Sequence, residues 1–288
     1  MTGEFTTSGA LNVEGALLRY LCEGSGLPAL VIGSAIYYPR VFSGQLRKCL
    51  RLIFVDVRHF AEGNEALDLD DLSLDTYLDD IDRVRAHLGL DRIVLIGHSH
   101  HGNLALEYAK RHPARVTHLV LIGSPPVDVG ATIKAARLYW ETHASDERKT
   151  ALQKRQEAVA NRMTREQAYV AQYIADGPKY WYDMNYDASE LWQDVPLNLD
   201  IIEVFRGFFA DGYELEWNPG ELAAPILVMM GQYDYAVPPT LWTDEYTAKT
   251  NLRFHLFERS GHTPPLEEPD AFDRVLLDFL KVKNLEAP

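Results

Sequence analysis

The residues best equipped for chemistry lie near the middle of the chain, where Ile93-Val94-Leu95-Ile96 runs into Gly97-His98-Ser99-His100-His101-Gly102 and then into the helical pattern Asn103-Leu104-Ala105-Leu106-Glu107-Tyr108-Ala109. An apolar run, a glycine-bounded corner and a helix together make a nucleophile elbow, which lifts one serine hydroxyl clear of a sheet. Ser99 is the candidate nucleophile. A serine at such a corner takes a strained backbone conformation, and its neighbours come so close to strand and helix that small residues are favoured on both sides. Gly97 meets that demand before Ser99. The usual closing glycine of G-x-S-x-G is His101 here, and glycine follows one place late, at Gly102.

A serine hydroxyl needs a base, and the base needs a group that orients it. Pro225-Ile226-Leu227-Val228-Met229-Met230 reads as a buried parallel strand, followed at once by Gly231-Gln232-Tyr233-Asp234. Asp234 therefore stands at the carboxyl end of a strand, where α/β sheets gather their chemistry. Leu252-Arg253-Phe254-His255-Leu256-Phe257 reads as the next strand and runs into Arg259-Ser260-Gly261-His262-Thr263-Pro264, which places His262 on a loop past a strand end. Taken singly, Asp234 could cap a turn and His262 could be an ordinary loop residue. Three strand-end placements in the chain order Ser, Asp, His instead point to a catalytic triad. His262 would take the proton of Ser99 as it attacks a carbonyl, Asp234 would hold the imidazole tautomer, and water would release the acyl group. The cluster His98, His100 and His101 could also suggest a metal, but Gly102 and Asn103 occupy the Asp and His places of H-x-H-x-D-H. Neither metal nor cofactor is needed for acyl transfer by a triad.

These groups need a sheet to hold them. Residues 6–12 and 16–22 read as an opening antiparallel pair, 29–32 as the first buried strand, and 52–55, 93–96 and 119–122 as its successors. Helical patterns separate them at about 41–50, 74–88 and 103–112. The alternation predicts an α/β fold with a mostly parallel sheet flanked by helices. After Gly123-Ser124-Pro125-Pro126 the rhythm breaks, and helix-like segments at 133–143, 145–162 and 164–174 are followed by aromatic clusters. A structureless loop of that length is improbable, so residues 127–220 are expected as an inserted helical lid between core segments 1–126 and 221–288. A lid excludes bulk water and shapes the substrate pocket. Tyr37 and Tyr38 directly follow a strand and are expected at the pocket mouth, with Trp181, Trp192 and Phe208 as further lining candidates; simple lid core is the plainer use of such rings.

Over nearly its whole length the chain resembles the α/β-hydrolases. Asp56-Val57-Arg58 stands where that superfamily often has D-x-R-G, and the block from Ser260 to Pro269 is similar to the histidine loop of the proline iminopeptidase-like branch. His59 replaces the glycine of D-x-R-G, His101 replaces the elbow glycine, and Gly33-Ser34 stands where a His-Gly pair is usual. The resemblance implies an oxyanion hole of two backbone amides, that of His100 and one after the third strand, where alignment favours Ala35 and Ser34 is the alternative. It also implies a small-molecule or short-peptide substrate. It slightly favours an aminopeptidase over a carboxylesterase or lactonase acting on a neutral acyl group, and a non-catalytic binding protein on the same fold is a more remote alternative. Such peptidases hold the substrate's free amine with acidic residues in or near the lid; Glu190, Glu203, Glu214 and Glu216 are the candidates, with Glu203 placed in the pocket. Tyr235 occupies the position after the triad acid, which is acidic in some relatives.

Composition agrees with one large core: 288 residues, 47% of them hydrophobic, suit a catalytic domain with an insertion. A net charge of -14 disfavours nucleic acid and anionic lipid as partners. No stretch approaches the ~20 apolar residues of a membrane span. The first five residues lack the basic and apolar regions of a signal peptide, and Cys22 and Cys49 are the two cysteines, so the cytoplasm is the expected location.

Overall fold

The computed structural model describes residues 6–63, 67–159 and 163–282. In chain order its elements are strands β1 (Thr6–Val13), β2 (Ala16–Glu23), β3 (Leu27–Gly33) and β4 (Leu50–Asp56), helix α1 (Leu74–His87), β5 (Ile93–His98), α2 (His100–Arg111) and β6 (Val116–Ile122). Six helices follow: α3 (Val129–His143), α4 (Asp146–Glu157), α5 (Arg165–Ala175), α6 (Gly177–Tyr180), α7 (Ser189–Trp192) and α8 (Leu199–Gly207). The chain then returns to the sheet with β7 (Ile226–Gly231), α9 (Asp244–Thr247), β8 (Leu252–Phe257), α10 (Pro264–Glu267) and α11 (Pro269–Phe279).

The strands form one eight-stranded sheet in the order β1-β2-β4-β3-β5-β6-β7-β8, parallel from β4 to β8 and antiparallel across β1, β2 and β4. Every residue of β5 and β7 is buried, which is why both read as unbroken apolar runs. Successive side chains on a strand face opposite sides, so Leu30, Ile32, Ile93 and Leu95 pack with α1 and α2 on one face. Ala29, Val31, Val94 and Ile96 pack with α11 on the other. From β3 the chain goes outward to β4 and then crosses back to β5 on the far side of β3. That reversal opens a crevice at the carboxyl ends of β3 and β5, the place where such sheets take ligands.

The expected helix at 41–50 is absent. Only 3-10 turns at Tyr38–Arg40 and Leu46–Lys48 form, and β4 begins at Leu50. The cause is Arg47, whose guanidinium donates to the carbonyls of Pro39, Phe42 and Ser43, each at 2.8 Å, in place of helical amides. Helix α4 ends at Glu157, short of the expected span to 162, whose last three residues lie outside the described ones. The segment between β6 and β7 is held by two arginines of α4. Arg148 donates to the carbonyls of Pro178, Trp181 and Tyr182 at 2.6–2.7 Å, and Arg155 to those of Ile174, Met184 and Tyr186 at 2.8–3.2 Å. Five donors in a rigid fork let one side chain satisfy several carbonyls of an irregular segment. Among the described residues no helix is long and apolar enough to cross a membrane.

Candidate active site

Ser99 sits between β5 and α2 with φ 54 and ψ -135, a left-handed conformation that costs a non-glycine residue of order 1–3 kcal/mol. Its amide donates to the Ile122 carbonyl at 2.8 Å, which ties the corner to the end of β6. A side chain at Gly97 would run into the His101 carbonyl, and one at Gly102 would run into Ser124 just beyond β6. The late glycine thus falls where α2 meets Ser124, while the side chain at position 101 leaves toward open space.

That space is the cavity above the sheet. A ring in place of the elbow glycine would be expected to turn away from Ser99 into packing behind the nucleophile; instead His101 lines the same cavity as Ser99. It stacks on His59, with ring centroids 5.2 Å apart and planes 13° apart, and touches Phe205 of α8 at 5.4 Å between centroids. Both of its ring nitrogens are engaged, Nε2 with His59 and Nδ1 with the Tyr38 hydroxyl.

Asp234 and His262 meet at the ends of β7 and β8. Asp234 is wholly buried, its Oδ1 accepts from the amides of Ala236 at 2.9 Å and Val237 at 2.7 Å, and its Oδ2 faces His262 Nδ1 at 2.7 Å. A proton on Nδ1 leaves the lone pair on Nε2, the state a base toward a serine must have. The loop carrying His262 is gripped on either side of it. Glu267 accepts from the amides of Gly261 and Thr263, and from that of Tyr182 in the insertion, at 2.6–3.0 Å. Burial pushes the Glu267 carboxyl up to about 7 against the opposing pull of those amides.

The His262 carbonyl ends a buried hydrogen-bond chain whose direction can be worked out atom by atom. Burial pushes His59 and His98 down to about 3 and His101 well below the usual range, so all three rings are neutral. A carbonyl only accepts, so His98 Nε2–H is its donor at 2.9 Å and His98 Nδ1 is a bare acceptor. The Tyr38 hydroxyl donates to that nitrogen at 3.2 Å, and its oxygen then accepts from His101 Nδ1–H at 3.4 Å. His101 Nε2 accepts from His59 Nε2–H at 3.1 Å, and His59 Nδ1 accepts from the Tyr77 hydroxyl at 3.2 Å. One terminal carbonyl fixes every tautomer in the chain.

The two amides expected at an oxyanion hole fare differently. That of His100 opens α2, where helical amides have no partner within the helix. Ala35 is a correction: its amide is already donated to Asp56 Oδ1 at 2.7 Å, and Asp56 is held in turn by Arg19 at 2.7 Å. The neighbouring Ser34 lines the cavity beside Ser99, and its amide, one residue past the end of β3, donates to no described protein group.

The cavity measures about 660 Å³. Tyr37, Tyr38 and Trp192 line it as expected, with Trp192 edge-on to both Tyr37 and Tyr173 at 5.1 Å. Three other candidates do not. Trp181 is only 1% exposed and packs into the core against Tyr186, its carbonyl held by Arg148. Phe208 packs against Tyr77 and Phe205. Glu203 is exposed and faces Arg165 at 3.9 Å. Glu190, Glu214 and Glu216 are likewise exposed and outside the lining, so none of the four glutamates is placed to hold a substrate amine. The carboxylate that does line the cavity is Asp176, which sits 3.6 Å from Lys179 and accepts from Gln156 and Gln172. The sequence reading missed His59 as a partner of His101, although both stood out as replacements of expected glycines, and it missed Glu267 inside the histidine loop. It also missed the cavity-lining Arg137 and Arg206.

A mostly parallel sheet with a serine elbow at its switch point and an acid and a histidine at later strand ends is the plan of the α/β-hydrolases. Residues 25–269 match the model of the alpha/beta hydrolase fold, and the chain belongs to that family. It is 34% identical over 276 residues to AB hydrolase superfamily protein YclE of Bacillus subtilis (strain 168), covering 95% of this chain and 98% of that one. It is 24% identical to a proline iminopeptidase of Heyndrickxia coagulans over 95% of this chain and 98% of that one. It is also 26% identical to 2-hydroxy-6-oxo-6-phenylhexa-2,4-dienoate hydrolase of Burkholderia cepacia, over 67% of this chain and 64% of the relative. Relatives with named hydrolase activities make the chain a hydrolase in class.

Proposed function

We propose that the protein is a serine hydrolase that cleaves a small ester or amide through an acyl-enzyme on Ser99. The observation that carries this reading is the 2.7 Å contact of His262 Nδ1 with a fully buried Asp234 carboxylate, around a cavity shared with a serine at φ 54. Ser99 Oγ attacks the carbonyl carbon as His262 Nε2 takes its proton; the imidazolium, steadied by Asp234, returns that proton to the leaving group. The tetrahedral oxygen is met by the amides of His100 and Ser34, fixed in place before the reaction begins. Water then enters by the same steps in reverse and frees the acid. The segment 127–220 acts as the lid over this site and keeps the intermediate from bulk water. Labelling by a fluorophosphonate, together with 4-nitrophenyl ester turnover, tests the reading: both are expected in the wild type and absent in Ser99→Ala. Turnover surviving in Ser99→Ala would rule it out.

An ester or neutral amide suits the lining better than a peptide with a free amine, because Asp176 is already matched by Lys179 and two glutamines. The aminopeptidase reading is kept second on the strength of Asp176 and the relatives named proline iminopeptidase. Prolyl and alanyl arylamides compared with esters separate the two: faster cleavage of the arylamides, dependent on a free α-amine, would reverse the order.

A further inference from the structure

The described arginines between β6 and β7 are 137, 148, 155, 165 and 206, and they divide cleanly by partner. Arg148 and Arg155 are bound to main-chain carbonyls, and Arg165 pairs with Asp200 and Glu203. Arg137 of α3 and Arg206 of α8 are exposed side chains that form no ion pair or hydrogen bond with any described residue, and these two, unlike the exposed glutamates, line the cavity. The third cation of the lining, Lys179, is matched by Asp176, the lining's one carboxylate. The cavity therefore carries two unbalanced positive charges in a chain whose net charge is -14.

Arg206 bears directly on the catalytic end. Burial, with the Arg206 charge as the next cause, lowers the neighbouring His100 ring to about 4, and the same charge acts on Tyr180, whose ring lies 5.7 Å from that of His262. An arginine fork beside aromatic walls, in a cavity with no free carboxylate, is a binding group for an oxyacid anion.

Resting on the serine hydrolase reading, we propose that Arg206, with Arg137, forms a subsite for an anionic end group, so that the substrate is an acyl compound ending in a carboxylate or phosphonate-like oxyacid. A dicarboxylic acid hemiester is the simplest example. The anion would lie against the α3 and α8 side while the scissile carbonyl sits at Ser99.

The test compares kcat/KM for 4-nitrophenyl hemiglutarate with that for 4-nitrophenyl pentanoate, which differs in having methyl in place of the carboxylate. A phosphonobutanoate ester as a third arm shows which oxyacid is preferred. The wild type should favour an anionic ester by about ten-fold or more at low salt, mainly through KM, because a charge-assisted arginine pair is worth that much. The preference should shrink as salt rises. Arg206→Gln should bring the ratio toward one, and Arg206→Lys should keep part of it. A wild-type ratio of one or less, or a preference that survives both Arg206→Gln and Arg137→Gln, overturns the proposal. Binding of monomethyl glutarate and methyl pentanoate to Ser99→Ala protein, measured by calorimetry, separates failure of the subsite from failure of the nucleophile. Tighter binding of the glutarate, weakened by Arg206→Gln, supports the subsite even if neither ester is turned over; equal binding of the two overturns it.

Discussion

Replacing Tyr38 by phenylalanine removes one oxygen atom from the middle of the buried chain and leaves the ring in place. That oxygen makes two hydrogen bonds, donating to His98 Nδ1 at 3.2 Å and accepting from His101 Nδ1–H at 3.4 Å. Neither partner has an easy substitute: His98 must keep its proton on Nε2 for the His262 carbonyl, and His101 Nε2 is occupied by His59. Tyr38→Phe thus leaves one buried acceptor and one buried donor unpaired, at about 1–3 kcal/mol each, for an expected loss of about 2–6 kcal/mol. Urea denaturation measures it, with the slope checked for constancy so that the midpoint shift reads stability alone. A double-mutant cycle with His98→Leu should give a coupling of about 1 kcal/mol or more, because that variant already lacks the acceptor. Catalysis should fall less than ten-fold, roughly, since the bond from His98 to His262 survives. A loss below about 0.5 kcal/mol, or strict additivity with His98→Leu, would refute the chain as drawn.

Three further outcomes are expected. In Asp234→Asn the amides of Ala236 and Val237 keep the carboxamide oxygen, so its NH2 faces His262 Nδ1 and forces the proton onto Nε2; kcat on a nitrophenyl ester should drop about 10³–10⁴-fold, and a loss under ten-fold would contradict the geometry. Nitrogen-15 NMR should find His59 and His98 protonated on Nε2 and His101 on Nδ1, and the opposite tautomer at His101 would break the assignment. Asp273, 5% exposed and bonded to Ser43, is pushed up to about 6 by burial, with Asp270 adding to the rise. The fold then binds a proton that the unfolded chain releases, so wild-type stability falls as pH rises from about 4 through 6. Asp273→Asn should match the wild type near pH 4 and exceed it by about 1–2 kcal/mol at pH 8; no gain at pH 8 would disprove the assignment.

The parts of the site set by local chain pattern could be read without coordinates. Ser99, Asp234 and His262 each follow a run whose apolar continuity marks a buried strand, and the strand end places the residue. What could not be read depends on contacts between distant segments. Whether Ala35 or Ser34 presents its amide is decided by Asp56 on β4, 21 positions from Ala35 along the chain. The segment 41–50 has helical residues, but the side chain of Arg47 takes the carbonyls a helix would use. Trp181 and Phe208 have the size and location of lining residues, and only the way the segment folds back turns one toward Tyr186 and the other toward Tyr77. The two unpaired arginines were invisible for the same reason: a missing partner is a property of the assembled structure.

The pairing of His59 with His101 has a consequence for how such a site can change over generations. Both residues stand where glycine is usual, and each supplies what the other lacks, a proton on one side and a lone pair on the other. Glycine at either position alone leaves one nitrogen of the remaining ring without its partner, although Tyr38 or Tyr77 still holds the other, whereas glycine at both exchanges two flat rings for empty volume in the cavity. The two positions are therefore expected to change together more readily than singly, because the single change leaves a buried imidazole nitrogen unpaired.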